Sequence, residues 1–130
     1  MSKTTLGFIF SGMVYLTIGV TLGALFFILP QLRALSLAHG HLNLVGFLTF
    51  FVFGVAYHIL PRFRGRPLYS EGLGWVHLWM ANIGLVGMLV MFAVGAYQPL
   101  GSLVAFQVVF GATLAVSVYL FIYNMARTLI

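Results

Sequence analysis

The chain has 130 residues, 62% of them hydrophobic and 5% charged, with a mean hydropathy of +1.12; soluble domains carry about a quarter charged residues, so an aqueous globular fold is excluded. The formal charge of +5 comes from six Lys and Arg against the single acid, Glu71, and these basic residues stand at the ends of apolar runs, which argues against nucleic acid and for membrane flanks. Cysteine is absent, which excludes disulfides, thiolate metal sites and thioether cofactor attachment.

The first apolar run extends from about Leu6 to Leu29 and stops at Pro30. It is too long for the apolar core of a signal peptide and lacks a small-residue cleavage site, so it reads as a mature span. QLRALS separates it from a second run, about Leu37 to Leu60, which Pro61 closes. PRFRGRPLYSEG is the strongly polar loop. A third run lasts from about Leu73 to Tyr97, Gln98, Pro99 and Gly101 turn the chain, and a fourth, from about Ser102 to Met125, ends near Arg127. Each has about the 20 residues that cross about 30 Å of hydrocarbon as a helix. The expectation is an all-α integral membrane bundle of four transmembrane helices, over about 6–29, 37–60, 73–97 and 102–125, in a single membrane domain spanning 1–130.

Lys3, Arg62, Arg64, Arg66 and Arg127 fall on one side of such a bundle and Arg33 on the other. The positive-inside rule then puts both termini and the arginine loop in the cytoplasm of a multi-pass protein of the cytoplasmic (inner) membrane. His39 and His41 lie toward the outer face, His58 and His77 toward the inner one.

Ionisable groups at membrane depth are rare and point to function. On a regular helix His39 and His41 differ by about 200°, so they face opposite ways and suit two separate sites. Below His39 the same face carries Asn43, Gly46, Phe50 and Tyr57, and below His41 it carries Val45, Leu48 and Val52. A flat porphyrin fits against either face, Gly46 allowing close approach, and imidazole is the usual axial ligand of heme iron. The competing reading is a pair of wet histidines at the headgroup level. For His58 and His77, a second metal or proton site stands against helix-end and hydrogen-bonding roles, which carry more weight. Gly19 with Gly23, and Gly84 with Gly87 and Met88, read as helix-packing surfaces within or between protomers. Trp75, Trp79 and Tyr97 suit interfacial belts, and FLTFFVF suits core or lipid contact.

The stretch AHGHLNLVGFLTFFVFGVAYHILPRFRGRPLYSEGLGWVHLWMANIGLVGMLVMFAVG resembles the tenth and eleventh helices of the catalytic subunit of cbb-type cytochrome oxidases and nitric oxide reductases, in the heme-copper oxidase superfamily. The resemblance rests on His39 and His41 at the outer helix end, on YHILPR from Tyr57 to Arg62, on the basic glycine loop, and on VHLWMANIG. It implies that His39 binds a high-spin, gas-reducing heme and His41 a low-spin electron-transfer heme, and that His58 and His77 are not ligands. A full catalytic subunit has about twelve helices, and the helices that carry the opposite low-spin ligand and the partner-metal histidines have no counterpart here. Those twelve form three pseudo-symmetric groups of four, so a homotrimer of this chain imitates the ring, and a dimer also supplies two axial histidines.

The expected protein is therefore a membrane heme b protein, a homo-oligomer with heme shared between protomers, which transfers electrons with a respiratory-chain redox partner or binds O2 or NO. A complete oxygen or nitric oxide reductase from one copy is not expected. The alternatives are a heme-free accessory or assembly subunit of a respiratory complex and a copper-binding membrane protein.

Overall fold

A computed structural model describes residues 1–130. It is all-helical, with four helices long and apolar enough to span a membrane: α1 (Lys3–Ile28), α2 (Pro30–Arg64), α3 (Glu71–Tyr97) and α4 (Gly101–Leu129). The helices reach past several of the apolar runs because their caps lie in the polar flanks. The Ser2 side chain accepts from the Thr5 N–H at 3.2 Å and starts α1 three residues before its first leucine. Ser70 caps α3 in the same way through Leu73, and Glu71 in the first turn complements the helix dipole.

Helix α2 departs from regularity twice. After a 3-10 turn at Pro30–Leu35, ordinary α-helix holds only over Ser36–His41, and the chain then widens into π-helix over Leu42–Thr49 before resuming as Phe50–Arg64. The wide turn is tied by the Thr49 hydroxyl, which donates to the Leu44 carbonyl five residues back at 2.9 Å. Such insertions concentrate at functional sites. The second departure corrects the expected end at Pro61, which lies inside the helix: its ring removes one N–H, and only one more turn follows. The stop is Gly65, at φ +64, with its N–H on the Arg62 carbonyl (3.0 Å) and the Arg66 N–H on the Pro61 carbonyl (3.1 Å). This paired closure requires a left-handed residue, which glycine adopts without a Cβ clash.

One end of the bundle gathers the arginine loop and both chain ends. Asn124 of α4 brackets Ser70, accepting from its N–H at 3.1 Å and donating to its carbonyl at 2.8 Å, and Thr128 accepts from the Tyr69 N–H at 3.0 Å. Arg66 donates to the Ile130 main-chain oxygen at 3.1 Å.

Just inside that end, all four helices meet in an aromatic core. Phe8 of α1 packs on Phe50 (5.3 Å) and Phe53 (5.6 Å) of α2 and on His77 of α3 (4.5 Å), while Phe53 packs on Phe121 of α4 (4.5 Å). Edge and tilted contacts of this kind each add about 0.5–1.5 kcal/mol beyond burial. Further along, α3 and α4 touch backbone to backbone. A Cβ on Gly84 would lie 2.7 Å from the Leu114 nitrogen, and one on Gly87 would overlap the Phe110 ring, so the small-residue surface of α3 is consumed within the protomer. Val104, Phe106, Val108 and Val109 on α4 remain exposed, as lipid contact demands.

Candidate functional site

His39 and His41 both lie in the regular turn Ser36–His41, so the angular argument from spacing applies to them despite the π-helix that follows. The structure puts them in different clefts. His39 lines an open cleft of about 570 Å³ with Gly23, Phe26, Phe27 and Arg33, and His41 lines one of about 300 Å³ with Leu37, Gly40, Leu44 and Val45. The Phe26 ring stands 5.3 Å from His39, and Phe92 of α3 stands 4.8 Å from His41.

Both rings are oriented by main-chain oxygen. His39 Nδ1 lies 2.9 Å from the Gly19 carbonyl, and His41 Nδ1 lies 3.0 Å from the Leu37 carbonyl one turn back. A carbonyl only accepts, so each Nδ1 donates a proton and each neutral ring presents the Nε2 lone pair. Axial histidines use this arrangement to fix ring and tautomer.

Gly19 and Gly23 correct their reading as a packing motif alone. A Cβ at Gly19 would approach the Asn43 side-chain oxygen to 2.5 Å, and one at Gly23 would approach His39 Cε1 to 2.7 Å. The two glycines make room on α1 for the His39 ring and for its neighbour Asn43. The Asn43 amide donates to the His39 carbonyl at 3.0 Å and lies 3.2 Å from Nδ1 and 3.3 Å from Nε2, against the ring as a whole. Asn43 stood on the His39 face in the sequence, but nothing there indicated that its amide would cover the ring. Gly46 is buried against Tyr15, 2.7 Å from the Tyr15 Cβ by the same construction. Its closeness therefore serves the α1–α2 contact, and it lines neither cleft. Tyr15 was missed by sequence reasoning. It donates to Asn82 at 2.7 Å and cross-links α1 to α3 inside the apolar layer, and the one signal available was an Asn within a membrane span.

His58 and His77 do not pair. His77 is fully buried, with Nδ1 3.0 Å from the Tyr57 hydroxyl and Nε2 without any partner among Phe8, Phe53 and Phe121. His58 is partly exposed and accepts at Nδ1 from Arg62 Nη1 at 2.8 Å.

No three His, Cys, Asp or Glu side chains converge anywhere in the chain. Protein side chains alone therefore do not form a metal cage, whereas a porphyrin brings four equatorial nitrogens and asks the protein for one or two axial ligands. The residues fit that request: an imidazole lining each cleft with its Nδ1 already on a carbonyl, a planar aromatic neighbour, and in the His39 cleft the Arg33 guanidinium, matched to the carboxylates at a heme edge. Neither cleft contains a second His or a Met.

Fold and site together define a polytopic, all-helical membrane protein with two half-buried imidazoles on one helix, each lining its own cleft. Residues 33–100 match the family described as cytochrome C and quinol oxidase polypeptide I, the heme-copper oxidase subunit I. That is more than half of the chain, and the chain belongs to this family. No curated protein and no solved structure matches it.

Proposed function

We propose that this family member is a heme b protein of the cytoplasmic membrane, with His39 and His41 as axial ligands of separate hemes near the outer face. The observation that carries this reading is the shared orientation of the two rings, each with Nδ1 on a main-chain carbonyl in its own cleft. When bound there, heme supplies one-electron chemistry, or gas binding where an axial position stays open. The chain's part would be to orient each imidazole through its Nδ1, leaving Nε2 as the ligating nitrogen, and to flank the ring with Phe26 or Phe92.

Because each cleft offers a single imidazole, a second ligand would come from outside these 130 residues, another protomer being one source, or its place would be open to a diatomic ligand. A homotrimer, or failing that a dimer, fits the first case. The likeness to cbb-type oxidases and nitric oxide reductases favours His41 for the low-spin, electron-transferring heme and His39 for the gas-reactive one, with a respiratory-chain component as redox partner. A reduced-minus-oxidised spectrum of the purified protein, with and without carbon monoxide, tests the proposal. A Soret band is expected, and a colourless protein that copurifies with a respiratory complex would establish the accessory-subunit reading instead.

The arginine end is proposed to face the cytoplasm. Five of the six basic residues lie there, so cysteines introduced into the loop should label from the cytoplasm alone, and cysteines near Arg33 or Gly101 from outside alone. The reverse pattern overturns the orientation.

A further inference from the structure

At the end of the bundle away from His39 and His41, a groove of about 400 Å³ is lined by Thr5, His58, Arg62, Arg66 and Glu71, among other residues. We propose that it binds the phosphodiester headgroup of a membrane phospholipid. Arg62 and Arg66 each commit Nη1 inside the chain, to His58 and to the Ile130 main-chain oxygen, and this leaves Nε–H and the Nη2 hydrogens of both guanidiniums free to donate. Since Arg62 donates to His58 Nδ1, the neutral His58 ring carries its proton on Nε2 and is itself a donor. Two guanidiniums and an imidazole N–H around one concavity match the oxygens of a phosphate, and planar guanidinium is the side chain best shaped for it.

Two further observations favour a lipid over a free ion. Helix α2 carries a wholly apolar groove of about 430 Å³ along Phe51, Val52, Val55, Ala56, Ile59 and Leu60, ending one residue before Pro61 of the polar groove. Headgroup donors and an acyl-chain track thus follow each other along one helix, in the order an amphiphile needs. Glu71, the single carboxylate side chain of the protein, also lines the polar groove. It repels a multiply charged inorganic phosphate but accepts from the hydroxyls or ammonium of a lipid headgroup.

The test is native mass spectrometry of the full chain in detergent with phosphatidylglycerol. One lipid should stay bound to the parent protein. In Arg62→Gln, Arg66→Gln retention should fall by about tenfold, whereas Arg64→Gln, Arg127→Gln, which removes equal charge outside the groove, should stay within about twofold. Inorganic phosphate in excess should not displace the lipid. Equal loss in the two double variants, no retention by the parent protein, or displacement by phosphate each overturns the proposal. Circular dichroism checks the helix content of both variants. Should the groove double variant unfold, Arg66→Gln alone, beyond the end of the helix, gives the same reading.

Discussion

His77, at one end of the bundle, and the His39–His41 pair, at the other, hold imidazole in opposite ways. His77 sits where all four helices meet, sealed among Phe8, Phe53 and Phe121, with one nitrogen on Tyr57 and the other orphaned. His39 and His41 sit against α1 and α3 near the other end, with one nitrogen of each fixed by a carbonyl and a cleft beside the ring. Burial alone therefore does not mark a ligand. What separates them from His77 is a ring nitrogen fixed by a carbonyl with an open cleft beside the ring, and His77 has no such cleft. The orphaned His77 Nε2 carries a desolvation cost of about 1–3 kcal/mol, borne by the aromatic packing around it.

The contrast breaks most visibly at His39 and His41. His39→Ala, His41→Ala should reduce heme content to background in the purified, folded protein, because neither cleft holds a second His or a Met to take over. Normal heme content in that double variant would sink the ligand assignment. The single variants should differ from each other: His41→Ala should remove the low-spin spectrum, and His39→Ala the carbon-monoxide-reactive component. If iron bridges protomers, either loss also promotes dissociation in detergent.

A smaller effect tests the glycine cradle. Gly23→Val places methyl groups where His39 Cε1 now lies, so the carbon-monoxide-reactive component should fall while the His41 signal persists. Equal loss of both signals would mean that α1 supports the bundle generally and not His39 in particular.

At the arginine end the expected effects are on stability. His77→Gln should leave most of the heme spectrum in place and lower unfolding stability by about 1–3 kcal/mol, through loss of the Tyr57 contact and of ring packing. His58→Gln, at a partly exposed position, should change stability by less than about 0.5 kcal/mol. Loss of the Soret band in either variant, with the protein still folded, would make that histidine a ligand and remove the contrast between the ends.

Much of the architecture was legible residue by residue. Apolar run length set the number of helices, since only a helix satisfies its own backbone over that span. The two-residue spacing of His39 and His41 set them on opposite faces, and the small residues of α3 announced a close helix contact. Sequence periodicity, however, describes one helix at a time. It gave no sign of the π-helix at Leu42–Thr49, because winding there depends on the Thr49 to Leu44 bond and on how α2 packs against α1. It left His58 and His77 as a possible pair, where packing buries one against Tyr57 and turns the other toward Arg62. It also assigned Gly19 and Gly23 to helix packing in general, while the fold brings His39 and Asn43 against them. Helix formation and membrane insertion follow from local composition, so the sequence determined them. Which side chain meets which nitrogen depends on the rotation of neighbouring helices about their own axes, and only tertiary packing fixes that.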